Sequence, residues 1–270
     1  MSRQRLLGLM LSCLLAPAFA GDKKEITSEW PAQAIEVDGS DREWQGAFTY
    51  LEKEKIAYAI KNDTSHLYLC VKFENETQRQ ALRFGFTIWL DPNGKGKREL
   101  GIRFPIGMQY YDAKGTAMAP GAMPSAEATR QRAATMLREI DILESDRNIR
   151  NRLQARNAEG VRFAASDSSY ELSFELQIPL HSTFDQPYAL EAKIDQDFSL
   201  GFEMGEFDRK KMQERMQGGG SWGGGRPPSG GSGRQPGGGM GARPPGWKDM
   251  PKPFKVWMRV KLATPASPDH

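Results

Sequence analysis

Cysteine is nearly absent from this chain. There are two in 270 residues, Cys13 and Cys70, and Cys13 falls inside the N-terminal apolar run. Once that run is removed Cys70 stands alone, so no disulfide can form within the rest of the chain, whatever its redox compartment. Histidine is almost as scarce. His66 opens a strand-like segment, His181 follows one and His270 is the last residue. No two of them have metal-ligand spacing, and no Cys–His pair suggests a nucleophile. Glu203 and Glu206 lie three apart, which on a strand turns them to opposite faces and denies them an acid–base partnership. These scarcities point to a protein that is not an enzyme and carries no metal or cofactor. Excess charge is missing too. Lys and Arg outnumber Asp and Glu by only 37 to 34, and two of that excess, Arg3 and Arg5, lie at the extreme N-terminus. Such a balance supplies no overall basic field for nucleic acid.

Long hydrophobic runs are also lacking, with one exception at the start. Arg3 and Arg5 precede an apolar stretch over 6–15, and Ala18-Phe19-Ala20 ends it in a small-x-small pattern. This layout predicts a secretory signal peptide over 1–20, cleaved before Gly21. The stretch is too short for a membrane span, which needs ~20 residues. The surroundings of Cys13, Met10-Leu11-Ser12, fit a lipoprotein signal poorly. The expectation is therefore one mature domain over 21–270, periplasmic or secreted to the cell surface, with no transmembrane segment.

What is present is alternation. Segments 56–61 (IAYAIK), 66–73 (HLYLCVKF), 83–90 (RFGFTIWL) and 170–178 (YELSFELQI) each place apolar residues at every second position. Ile56, Tyr58 and Ile60 share one face. So do Leu67, Leu69, Val71 and Phe73, then Phe84, Phe86, Ile88 and Leu90, and finally Tyr170, Leu172, Phe174, Leu176 and Ile178. Period two, bounded by Gly, Pro, Asn and Asp, marks half-buried strands. Segments 34–39 (AIEVDG), 99–106, 200–207 and 254–262 read as further strands. Many short strands with turn-rich joints predict an all-β fold, an antiparallel β-sandwich.

Two stretches break the pattern. Over 107–160 the composition shifts to Ala, Met, Arg and Gln and predicts a partly helical insertion. Ser125 is placed to cap a helix running to about Arg138, with Glu127 in its first turn. Whether 141–158 continues as helix or returns as strand is undecided by the pattern. Over 218–246 lie 14 of the chain's 28 glycines, mixed with Pro, Ser and Arg. Such a tract cannot bury enough apolar surface to offset its backbone entropy, so it is expected to be a long disordered loop. A short charged helix over 208–216 is expected before it. Arg226, Arg234 and Arg243 punctuate the tract and offer contacts to an envelope partner.

Four segments carry a family likeness. AIEVDGSDREW (34–44) resembles the opening of family 9 carbohydrate-binding modules and their DOMON-like relatives. HLYLCVKFEN (66–75), FGFTIWLDPNGKG (84–96) and YELSFELQIPL (170–180) resemble later strands of the same family. The resemblance implies a non-catalytic sandwich, with a glycan as the expected ligand. It also implies two alternatives: an envelope structural or assembly protein without a sugar ligand, and a haem-binding domain using Met108, Met204, Met258 or His66. In the family the sugar is held between two tryptophans.

The residues themselves suggest where a ligand would sit. Sugars stack on aromatic rings while polar groups grip their hydroxyls, so a binding face needs aromatics among polar residues on the side of a strand away from the core. Trp89 shares such a face with Arg83, Gly85, Thr87 and Asp91. Trp257 alternates with Lys255, Arg259 and Lys261. The candidate ligand-binding set is Trp89, Trp257, Tyr68, Arg83 and Arg259, with Lys72 beside Tyr68. The opposing expectation is that the outward tryptophans are covered by the 107–160 insertion. Trp44 is expected to plug one end of the sandwich, Asp38 and Gly39 to form a turn, and Asp91 and Asn93 to serve a turn rather than bind calcium.

Overall fold

The structure is a computed structural model and describes residues 24–111, 127, 131, 134–155, 159–166, 172–192, 196–205 and 253–265. The leader over 1–20, Ser125, the 208–216 segment and the glycine-rich tract over 218–246 lie outside the described residues.

Two sheets face each other. One has five strands in the order β2-β3-β4-β10-β9 and the other seven, in the order β1-β12-β11-β5-β6-β7-β8. The five-stranded sheet comprises β2 (Thr49–Leu51), β3 (Ile56–Asn62), β4 (His66–Phe73), β9 (Arg162–Ala165) and β10 (Ser173–Pro179). The seven-stranded sheet comprises β1 (Lys24–Thr27), β5 (Phe86–Asp91), β6 (Leu100–Arg103), β7 (Glu139–Leu143), β8 (Ile149–Gln154), β11 (Phe198–Met204) and β12 (Lys255–Lys261). The strand phases follow the alternation in the sequence. Ile56, Tyr58 and Ile60 of β3, Leu67 to Phe73 in alternation on β4, and Phe174, Leu176 and Ile178 of β10 all enter one core with Phe86, Ile88 and Leu90 of β5. Its centre is aromatic. Phe86 meets Phe73 edge-on at 5.0 Å between ring centroids and Phe202 at 5.5 Å, while Tyr58 meets Phe202 across the sheets at 5.4 Å. Edge-to-face packing at these separations adds to the gain from burial alone.

Several expectations are corrected. Residues 34–37 form no strand and lead into a bend at Asp38 and Gly39. The run over 83–90 divides: 75–84 is helix α1 (Asn75–Phe84) and the strand starts at Phe86. Helix α1 buries Thr77, Gln80, Ala81 and Phe84, the i, i+3, i+4, i+7 stripe of a surface helix. Gly85 ends it with φ +81, donating its N–H to the Ala81 carbonyl. A single helical turn, α2 (Met108–Tyr111), follows β6. The sheets are not wholly antiparallel, because β1 pairs with β12 in parallel. The supposed insertion is partly sheet. Glu127, Gln131 and residues 134–136 are helical as expected, but β7 and β8 then form a hairpin that extends the seven-stranded sheet from β6. Strands β6 and β11 are also displaced from the expected 99–106 and 200–207, ending at Arg103 and Met204.

Trp44 is a plug, but on a face rather than an end. It sits with Ala59, Tyr68 and Cys70 in a second apolar cluster on the outer side of the five-stranded sheet. Glu175 of β10 fixes it there. One carboxylate oxygen accepts the Trp44 indole N–H at 2.7 Å, and the other accepts the N–H groups of Gly39 at 2.7 Å and Asp38 at 3.0 Å. Gly39 has φ +88, and a β-carbon on it would lie 2.5 Å from the Ala165 carbonyl oxygen. Asp38 accepts the Ser40 N–H within the expected turn. The loop is thus laid over the sheet by one buried anion rather than by strand pairing.

Candidate functional site

The outer face of the seven-stranded sheet carries the candidate site. Cross-strand register places Leu143, Gly101, Trp89, Gly201 and Trp257 in one row across five adjacent strands. The next row reads Arg152, Asp141, Arg103, Thr87, Glu203 and Lys255. Neither row is legible from one segment, since each residue comes from a different strand.

Small residues between the tryptophans decide how the rings lie. A β-carbon added to Gly101 would fall 2.6 Å from Cζ3 of Trp89; on Gly201 it would fall 2.8 Å from Cζ3 of Trp257. Each indole therefore lies down on the bare backbone of the neighbouring strand, Trp89 over β6 and Trp257 over β11. The two residues belong to strands separated by β11, so their backbones are about 10 Å apart. Trp89 is fully buried, whereas Trp257 is partly exposed.

A charge cluster stands over Trp89. Its indole N–H donates to Glu203 Oε2 at 3.1 Å. Arg98 donates from both Nε and a terminal nitrogen to that oxygen, at 3.0 and 2.8 Å, and its guanidinium lies 5.6 Å from the Trp89 ring centre. Arg147, from the β7–β8 turn, reaches the other oxygen at 2.7 Å. Lys255 holds its ammonium 4.9 Å from the Trp257 ring centre. Burial draws the Lys255 ammonium below its ordinary value, and the nearby positive charge of Arg98 pushes the same way. Arg98 is aimed by the turn before it. Asp91, fully buried, accepts the N–H groups of Asn93 at 2.9 Å and Lys97 at 2.8 Å, which folds the β5–β6 loop back over the sheet. Both carboxylate oxygens of Asp91 are engaged in the turn role that the sequence suggested.

Further along the same row Asp141 is fully buried between two arginines, 3.0 Å from Arg103 and 2.6 Å from Arg152. Tyr110 lies under the Arg103 guanidinium at 3.8 Å. This triad joins the β7–β8 hairpin to the sheet and so carries Arg147 into place.

The five candidate residues are not brought together. Trp89, Trp257 and Arg259 share the outer face of the seven-stranded sheet, and Arg259 projects two residues beyond Trp257, opposite Glu25 in register. Trp89 is no open platform, because Arg98 and Glu203 close over it. Tyr68 and Lys72 face outward from the five-stranded sheet, on the far side of the core. Tyr68 is nearly buried and donates its hydroxyl to Asp63 at 2.8 Å, and Lys72 pairs with Asp41. Arg83 is in the last turn of α1, stacked against Phe84 at 5.2 Å. Of the haem candidates, Met204 and Met258 fill the main core and His66 leans toward Asp63. Sequence reasoning weighed Glu203 only as an acid–base group and missed Arg98 and Arg147. Glu203 had a signal, since it is out of phase with the apolar Leu200, Phe202 and Met204. Arg98 and Arg147 had none, because both act from turns.

No group of three His, Cys, Asp or Glu suited to a metal occurs among the described residues, and no described helix is long and apolar enough to cross a membrane. No family model and no curated protein sequence matches the chain. Among solved structures it is similar to a family 9 carbohydrate binding module from Caldicellulosiruptor kristjanssonii in complex with glucose. The identity is 12% over 69% of this chain and 81% of that one, with a TM-score of 0.34. It is also similar to such a module from the same organism in complex with cellotriose, at 11% identity over 69% and 79% of the two chains and a TM-score of 0.34.

Proposed function

We propose that this protein is an exported, non-catalytic glycan-binding module whose ligand stacks on Trp257. The observation that carries the reading is the posture of that ring. Trp257 lies against Gly201 on the outer face of a sheet, partly exposed, between Lys255 and Arg259 on its own strand. An indole laid flat on a sheet and flanked by hydrogen-bond donors is the arrangement sugar stacking needs, and exposed aromatics among polar groups mark contact sites. The leader-like residues over 1–20 support export to the periplasm or cell surface.

Trp89 has a different role in this reading. It is the floor of the site, holding Glu203 and supporting Arg98. A glycan array probed with the mature protein tests the proposal, followed by Trp257→Ala on any glycan retained. The variant should lose binding and keep its far-ultraviolet circular dichroism. Retention of no glycan by the wild-type protein, or undiminished binding by the folded variant, sinks the reading.

A further inference from the structure

Among the described residues, the cluster beside Trp257 holds more positive charge than it neutralises. Arg98, Arg147 and Lys255 converge on one edge of the ring row; among the described residues the two arginines pair with a single carboxylate, Glu203, while Lys255 stands over the Trp257 ring. Glu203 is already shared: one oxygen receives Arg98 and the Trp89 indole N–H, the other receives Arg147. No acidic partner within ion-pair distance is found for Lys255 among the described residues, and its ammonium instead faces the Trp257 ring. Burial draws this ammonium below its ordinary value; Arg98 and Arg147 push the same way, and Glu203 opposes them.

We infer that the glycan bound at Trp257 is anionic, a chain of uronic acid units, with a sugar carboxylate seated among Lys255, Arg147 and Arg98. The inference rests on the glycan-binding reading above and adds the ligand's charge class. The geometry favours a carboxylate because the cluster already holds one. Arg98 and Arg147 grip Glu203 from two sides at 2.7–3.0 Å, and arginine forks match the planar shape of a carboxylate. A second carboxylate entering over Trp257 would meet Lys255 directly and the outer edge of Arg147, whose side chain is 47% exposed. A neutral sugar at the same place would desolvate Lys255 without replacing the lost hydration by an anion, a cost that selects against it.

The test compares tetragalacturonate with its fully methyl-esterified form, which keeps the backbone and removes the charge. Titration calorimetry on the mature full-length protein should show the acid bound at least about tenfold tighter, the size expected of one added charge-assisted contact. The advantage should shrink in high salt, since the pair is partly exposed. Arg147→Gln and Lys255→Gln should each weaken binding of the acid more than binding of the ester, so that the preference for the acid falls in both. Both positions are at the surface, and Glu203 keeps Arg98 in either variant, so the fold survives. Equal affinity for acid and ester overturns the inference and leaves the glycan reading standing. A preference for the acid that persists in both variants overturns the placement at this cluster. Binding of neither tetrasaccharide, together with an empty glycan array, overturns the inference and the glycan reading at once.

Discussion

The indole of Trp89 lies directly on the α-carbon of Gly101, its register partner on β6, so closely that a methyl group there would sit 2.6 Å from the ring. The same relation joins Trp257 to Gly201 on β11. Two glycines in strand interiors, normally weak points for a sheet, are here the sockets for two large rings.

The two sockets should respond unequally to alanine. At Gly101 the ring has nowhere to go, because Arg98 and Glu203 close over it, so Gly101→Ala should cost about 1–3 kcal/mol by overpacking. At Gly201 the partly exposed Trp257 can swing outward, so Gly201→Ala should cost less and should raise the solvent exposure of a tryptophan in its fluorescence. Urea denaturation of both variants checks the order. A larger loss at Gly201 would contradict the described positions of the rings.

Glu175 makes a second, independent prediction. Its two oxygens accept three N–H groups, and a glutamine in its place must turn an NH2 toward one set of donors. Glu175→Gln should therefore cost about 1–3 kcal/mol, the penalty for a buried donor left unmet. The loop over 34–48 should be cut faster in limited proteolysis than it is in the parent. A variant as stable and as protease-resistant as the parent would show that Trp44 holds the loop without the carboxylate.

Asp141 stands between Arg103 and Arg152 in a site closed to solvent. Asp141→Ala leaves two guanidinium groups facing each other without their anion, and breaking a buried ion pair from one side costs ~3–5 kcal/mol. Because the triad anchors the β7–β8 hairpin, hydrogen exchange over 139–154 should accelerate more than over β3 or β4. Uniform acceleration would mean the hairpin is held by other contacts.

Alkali should loosen the five-stranded sheet. Burial pushes the Tyr58 phenol from 10.0 up to about 12, and burial followed by the bond to Asp63 raises Tyr68 as well. A phenol whose folded value is raised lends stability that is complete below the unfolded value and is lost as pH rises toward the folded one. The window therefore opens near pH 10.0 and runs to about 12 for Tyr58. Denaturant midpoints measured across it should fall for the parent and fall less for Tyr58→Phe. Parallel curves would remove Tyr58 from the account.

The sheets were legible in the sequence because each inner strand face repeats with period two within a few residues. IAYAIK and HLYLCVKF could not be read otherwise, and their inward sets are those found in the core. Helix α1 was also written, as Thr77, Gln80, Ala81 and Phe84 ahead of Gly85, but the alternation beginning at Phe84 masked it. The candidate site was only half legible. Period two placed Trp89 and Trp257 on faces away from the core, yet whether such a face is open depends on what crosses it. Arg98 arrives through a turn held by Asp91, and Arg147 through a hairpin held by Asp141. Glu203 becomes their meeting point only through the register of β11 with β5. Tyr68 was misplaced for the same reason, since nothing local to β4 says which of two sheets it joins.

The parallel pairing of β1 with β12 makes the order of synthesis matter. Ser28 donates its amide to the carbonyl of Lys261, a residue more than two hundred positions further along the chain. A chain emerging from its N-terminus must therefore hold β1 without a partner until nearly all of it has appeared, and β11 meanwhile presents an unpaired edge. Contacts this distant in sequence are slow to form, and open edges invite association with other chains. The last strand acts as a closing stitch: without it both its neighbours remain free to pair with a stranger.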